Sequence, residues 1–226
     1  VRPEGRDATT VVVTGRDLDR LPAAAGQFFQ WRFLDAPGAS RAHPYSLSAA
    51  PDGRSLRITA AHLGDGSSAL AQLTPGARVM IEGPYGRLHG GVRTRRKVLL
   101  IGAGIGITPM RALLEELPQA PGDVTLVYRA HAQDDVLFAD ELLALAGQRG
   151  ARIFTVLGGR ATSRESWLPG SAAHLSDTDA LRHLVPDLAD HDVYICGGPR
   201  WMDLVREAAL AGGVPERNIH LERFAY

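Results

Sequence analysis

"LLIGAGIGITPM", Leu99 to Met110, decides the fold class. Its opening belongs to "KVLLIG", Lys97 to Gly102, an unbroken apolar run of the kind found in a strand buried on both faces of a parallel sheet. Gly102, Gly104 and Gly106 end that run, and Thr108 and Pro109 then read as the N-cap and first position of a helix over "TPMRALLEEL". Strand, glycine turn and helix make one βα unit, and the alternation continues. Strand "VTLVY" precedes helix "DDVLFADELLALAG", strand "ARIFTVLG" and a short helix near Asp179 to Val185; strand "DVYICGG", helix "PRWMDLVREAALAGG" and strand "NIHLERF" follow. This order predicts an α/β domain with a parallel sheet over residues 97–226.

Upstream the period changes. "TTVVVTG", "QFFQWRF", "SLRITAAH" and "ARVMIEG" are short and strand-like, and turn-forming clusters such as "DAPGAS" and "APDGR" separate them. Only "SSALAQL", Ser67 to Leu73, looks helical there. Short strands at close spacing predict an antiparallel β-barrel or sandwich over residues 1–92. The basic run "RTRRK", Arg93 to Lys97, lies at the join and reads as a solvated linker face or, alternatively, a docking patch.

Composition narrows the function classes. With 25 basic and 25 acidic residues in 226, no net field draws the chain onto nucleic acid or an anionic membrane. A single cysteine excludes an internal disulfide framework and a cysteine-ligated iron–sulfur cluster built from this chain, and points to a reducing, cytoplasmic setting. No apolar run approaches the roughly 20 residues that cross a bilayer. The start at Val1, without a methionine, suggests a piece of something longer. The histidines His62, His89, His131, His174, His183, His191 and His220 are scattered without ligand spacing and read as surface or structural residues, with no metal site.

A parallel sheet binds ligands beyond the carboxyl ends of its strands. Two loops stand there. In "IGAGIGITP" the glycines let backbone N–H groups approach an anion ahead of a helix N-terminus; Ile107 fills the last glycine slot of the G-x-G-x-x-G pattern, so the loop is either a nucleotide phosphate site or a tight structural turn. In "CGGP", Cys196 to Pro199, a buried strand again ends in glycines; Cys196 is either a small hydrophobe or a member of the same site. "HPYSLSAAP", His43 to Pro51, carries no catalytic constellation of its own.

The ordered set "HPYSLS", "LGDGSSAL", "EGPYG", "GAGIGITP", "YICGGP" and "HLERFAY" resembles the ferredoxin–NADP reductase superfamily, and within it the dehydrogenase modules of the ferric reductase and NADPH oxidase branch, from about Gly26 to Tyr226. The resemblance implies an FAD-dependent oxidoreductase that takes NADPH, with NADH less favoured. It lays His43, Pro44, Tyr45 and Ser46 along the flavin, with Leu47, Ala60 and His62 also against the nucleotide. An aromatic ring such as Tyr45 suits stacking on a flat heteroaromatic system, and the Ser46 hydroxyl suits a bond to flavin N5. His43 stands where an arginine is commoner in the family, so Arg41 or the backbone amides of Gly66, Ser67 and Ser68 would compensate at the FAD pyrophosphate; the alternative reading of "GDGSS" is a capped turn.

By the same resemblance Gly104, Gly106 and Thr108 meet the dinucleotide pyrophosphate, and Thr108, Cys196 and Gly197 border the nicotinamide. Arg160 and Arg164, in "GGRATSRES", are the cations expected at a ribose 2′-phosphate, or else belong to a solvated loop. Phe224 or Tyr226 would cover the flavin, with the Glu222 carboxylate close by; a packed core edge is the other reading of these positions. Ser46, Cys196 and Glu222 are thus the expected catalytic side chains. The implied reaction is hydride transfer from nicotinamide C4 to flavin N5, then single-electron steps to an acceptor. That acceptor is expected to be the haem of an attached membrane domain, placing the module at the inner face of the cell membrane. The alternatives are a soluble reductase of ferredoxin, free flavin or ferric complexes, and a non-catalytic nucleotide-binding subunit.

Overall fold

A computed structural model of the protein describes residues 1–35 and 41–223. The first half holds β1 (Arg2–Glu4), β2 (Ala8–Thr14), β3 (Phe28–Phe33), β4 (His43–Ser46), β5 (Ser55–Ala61) and β6 (Val79–Tyr85). They form two three-stranded antiparallel sheets, ordered β1-β2-β5 and β4-β3-β6. Alternation in β3 sends Phe29, Trp31 and Phe33 inward. There they meet Leu56 and Ile58 from the facing sheet, and Leu47 just after β4, in one core. A bridge between Leu47 and Ile58 joins the two sheets at the end of β4. Pro44 is tolerated because β4 is the last strand of its sheet. A turn of helix, α1 (Asp65–Ser68), follows β5.

The second half is a five-stranded parallel sheet of β7 (Lys97–Ala103), β8 (Val124–Ala130), β9 (Arg152–Leu157), β10 (His191–Cys196) and β11 (Ile219–Glu222), ordered β11-β10-β7-β8-β9. Helices α2 (Ile107–Glu116) and α3 (Ala139–Arg149) pack on one face; α4 (Asp177–Leu184) and α5 (Pro199–Ala211) pack on the other. The chain steps outward from β7 through β8 to β9, then returns to the other side of β7 for β10. The direction of winding therefore reverses between β7 and β10, the place where such sheets open a crevice.

Local differences from the sequence expectations have physical causes. Helix α2 begins at Ile107, with Gly106 capping it after a tight turn over 104–106. Thr108 lies inside the first turn, and its hydroxyl donates to the Ile105 carbonyl at 3.0 Å instead of capping the helix. Helix α3 starts five residues later than the pattern suggests, because Phe138 takes φ 57 and isolates the preceding "QDD" turn. "RTRRK" keeps an exposed side, at Thr94 and Arg96, but its backbone is a bonded seam: the Thr94 N–H donates to Asp192 at 2.7 Å, Arg95 does likewise, and Arg93 donates to the Arg95 carbonyl at 2.7 Å.

The two halves meet across a charged cluster. Glu141 of α3 accepts from Arg57 of β5 and Arg111 of α2, both at 2.9 Å, and from Arg2 of β1 at 2.7 Å. Glu115 takes the Ala50 N–H at 2.8 Å, and the Arg57 guanidinium lies 5.2 Å from the Phe138 ring centre. Arg57 and Arg111 are nearly buried, so among the described residues removing the shared carboxylate leaves Arg57 without a counter-ion and Arg111 with Glu115 alone. Complete loss of one partner of a buried pair costs about 3–5 kcal/mol. Because Glu141 is partly solvated, Glu141→Ala is expected to lower stability by roughly 2 kcal/mol in urea unfolding.

Candidate functional site

Two grooves flank the turn between β7 and α2. The first, of about 520 Å³, runs along β4 and the end of β5, under the Leu63–Ser67 turn, and is closed from the other half by Ile105 and Thr108. Ser46 lies on it, 3% exposed, and its Oγ has no hydrogen-bond partner among the described residues. A buried hydroxyl facing a groove in that state asks for a polar ligand atom. Tyr45 is half-buried beside it, and burial pushes its phenol up to about 12. The backbone there is pinned, since the Trp31 indole N–H donates to the Tyr45 carbonyl at 3.0 Å. His43 and Tyr45 are stacked, 6.1 Å between ring centres.

The Gly64–Ser68 turn rests on His43: a Cβ at Gly66 would stand 2.5 Å from the imidazole Cε1. Ser67 Oγ folds back to accept from the N–H groups of Leu63 (3.0 Å) and Gly64 (3.2 Å). Its side chain therefore holds the turn. Pro44, Ala60, Gly66 and Ser67 border the groove, and so does Arg41. Leu47 is fully buried in the barrel core, Ser68 spends its N–H on the Gly64 carbonyl, and the His62 ring bonds Thr9 Oγ1 at 2.8 Å, so none of these three borders it.

The second groove, of about 650 Å³, opens at the carboxyl ends of β7, β8, β9 and β10. Gly104 lies on it with φ +52, a conformation that favours glycine, and with open space where a Cβ would point. Gly106 is required for a different reason. Its φ of −62 suits any residue, but a Cβ would sit 2.2 Å from the Cys196 carbonyl oxygen. Gly197 likewise lets the chain pass Trp201, whose indole N–H donates to the Trp167 carbonyl at 3.1 Å. Arg160 lines the groove, as do Arg129 and Arg200, the last paired with Glu165.

Other expected residues are placed elsewhere. Arg164 does not border the groove; it donates to the Ala173 carbonyl at 2.9 Å and pairs with Asp177 at 2.8 Å, which makes it an anchor of its own loop. Cys196 is fully buried, in register with Gly102 and Glu222, and burial, with the nearby Glu222 second, pushes its thiol up. It is a neutral thiol at ordinary pH. Glu222 is raised by burial, against the opposing influence of the Arg87 and Leu88 backbone N–H groups. Phe224 and Tyr226 lie outside the described residues.

Arg129, which also lines the second groove, is inconspicuous in the sequence because it directly follows the apolar strand run "VTLVY". A charged residue directly after a buried strand at its carboxyl end is the signal that would have found it.

The family model for an oxidoreductase NAD-binding domain matches residues 100–207. A ferredoxin–NADP reductase B of Sorangium cellulosum is 32% identical over 199 residues, which are 84% of this chain and 81% of that protein. The chain belongs to the ferredoxin–NADP reductase superfamily. The ferredoxin reductase component of a Mycobacterium tuberculosis 3-ketosteroid-9-alpha-monooxygenase is 31% identical over 98% of this chain, which spans only 62% of that relative's length. Among solved structures, the flavohaem-like FAD/NAD-binding domain of a Vibrio cholerae nitric oxide dioxygenase superposes with a TM-score of 0.75 at 24% identity, covering 98% of this chain and 94% of that one, a likeness of fold. As a superfamily member the chain is an NAD(P)H-dependent flavin oxidoreductase, with FAD and NAD(P)H as its cofactors. The first groove fits a flavin nucleotide on its own features, namely the orphaned Ser46 hydroxyl and the half-buried aromatic surface beside it.

Proposed function

We propose that the reductase holds FAD in the first groove, on a barrel of residues 1–92, and NADPH in the second, on residues 97–226, and that it passes electrons to a separate redox protein. The observation that carries this reading is the common wall: Ile105 and Thr108 close the first groove while Ala103 and Gly104 line the second. A flat ring system in each would meet at that turn. When bound, FAD supplies a centre that accepts hydride and releases electrons one at a time. The chain supplies placement. Tyr45 offers the ring face, and Ser46 Oγ donates to or accepts from a flavin ring nitrogen. Arg41 and the Gly66 and Ser67 amides face the phosphates, and Arg160 supplies charge for a ribose 2′-phosphate.

For the acceptor, the relatives' names favour a separate protein over a haem domain of the ferric reductase kind. With one cysteine the chain cannot build its own cysteine-ligated cluster. The relatives' names include ferredoxin–NADP reductase and ferredoxin reductase components of oxygenase systems. Among the described residues, no helix is long and apolar enough to cross a membrane.

Anaerobic addition of NADPH to the FAD-reconstituted protein is expected to bleach flavin absorbance near ~450 nm, faster than NADH does. Absence of bleaching with either nucleotide overturns the reading in favour of a non-catalytic subunit. Turnover with ferredoxin, haem protein, free flavin and ferric chelate then ranks the acceptors, and ferredoxin is expected to be fastest.

A further inference from the structure

Arg111 and Arg129 are the arginines buried in the described residues, at 6% and 8% exposure. Arg111 is neutralised by Glu115 and Glu141. Arg129 has no carboxylate within 4 Å among the described residues. Its guanidinium donates instead to the carbonyl oxygens of Gly158 at 2.6 Å, Gly159 at 3.2 Å and Val156 at 3.3 Å, and to that of Ala130. Carbonyls satisfy its N–H groups but leave its charge standing, and buried charge is ordinarily paired. Burial, and after it the charge of Arg160, pull the Arg129 pKa down, which expresses the same lack of compensation. Of the acids that share the groove, Glu165 is paired with Arg200, and Asp135 accepts the Ala132 N–H at 3.1 Å without pairing with Arg129.

Arg129 also lines the groove, and three of the four carbonyls it grips, those of Val156, Gly158 and Gly159, belong to the segment that leads into Arg160. Two cations therefore stand at one corner of an open cavity, and the buried one fixes the loop of the exposed one. A phosphate monoester, with a charge of about −1.5 to −2 near neutrality, matches that pair better than a ribose hydroxyl does.

We propose that Arg129 is a specificity-determining positioning residue of the nucleotide groove: it holds the Gly158–Arg160 segment in place and supplies the second positive charge for a 2′-phosphate, so that the groove prefers NADPH to NADH. This rests on the assignment of the second groove to the dinucleotide.

The test is equilibrium binding of adenosine 2′-phosphate, NADP+ and NAD+ to the FAD-loaded protein and to Arg129→Gln, Arg129→Lys and Arg160→Ala. Arg129→Gln is expected to lose roughly 10-fold or more in affinity for the two 2′-phosphate ligands with little change for NAD+. Arg129→Lys, which keeps the charge, is expected to recover part of that loss. Equal losses for NAD+ and NADP+, or none, overturn the proposal. Salt dependence gives an independent readout that does not need the Gln variant to fold. If both cations contact the phosphate, Arg160→Ala keeps a reduced but clear salt slope for adenosine 2′-phosphate, and a flat slope overturns the role of Arg129. Failure of the native protein to bind any of the three ligands would instead remove the assignment of the groove itself.

Discussion

Gly106→Ala is expected to damage the protein more than any single change inside either groove. The added methyl would stand 2.2 Å from the Cys196 carbonyl oxygen, 2.5 Å from its carbonyl carbon and 2.8 Å from the Gly197 nitrogen. These are backbone atoms at the end of a central strand, and no rotamer change can move them aside. Overpacking a tight site costs about 1–3 kcal/mol when side chains can adjust. Here β10 and the start of α2 must separate, and a loss at or above the upper end of that range is expected. Urea unfolding measures it through the midpoint at constant slope. The same separation would disturb Gly104 in one groove and Thr108 in the other, so retention of both nucleotides should fall together. A Gly106→Ala protein with native stability would show that the strand end and the turn are not in the described contact.

Asp192→Ala is the second large effect. This carboxylate is fully buried and accepts the Thr94 N–H at 2.7 Å, the Arg95 N–H, the Asn218 amide at 2.9 Å and the His220 ring at 2.9 Å. Through the first two it fastens the crossing from barrel to sheet onto β10. Removing it leaves several buried donors without an acceptor, and a loss of about 3–5 kcal/mol is expected. The pH dependence has a definite sign. Burial alone would raise this carboxyl, but the His220 bond, then Asn218 and the two backbone N–H groups, outweigh it and bring its pKa from 3.8 to about 2. A folded-state value below the unfolded one means stability that is fully present above pH 3.8 and lost as pH falls through about 2. Asp192→Asn should lack that component, so its stability should fall less than the native protein's over this interval.

Much of the second half was legible because its central strands are continuous apolar runs. "KVLLIG", "VTLVY" and "DVYICGG" correspond to β7, β8 and β10, all almost wholly buried. Strand β4 was harder to see, since "HPYS" contains a proline and polar residues that only an edge position beside a ligand groove tolerates. Strand β1, three residues of "RPE", carries no apolar pattern and exists because β2 pairs with it. In the groove beside β4, His43, Tyr45 and Ser46 could be read from their residue types, but the bonding that diverts His62, Ser68 and Arg164 depends on tertiary neighbours such as Thr9 and Asp177. Arg129 escaped for the related reason that a missing counter-ion is a property of the folded surroundings. No spacing in the chain encodes it.

The single turn of backbone from Ala103 to Thr108 borders both grooves, and in the proposed assignment it stands between the two nucleotides. Whatever stiffening one guest imposes on that turn, the other finds already done, and thermodynamic reciprocity then obliges each to alter the other's affinity by the same factor. On that assignment, heterotropic cooperativity between the two nucleotides is the expected consequence of a stretch that borders both grooves.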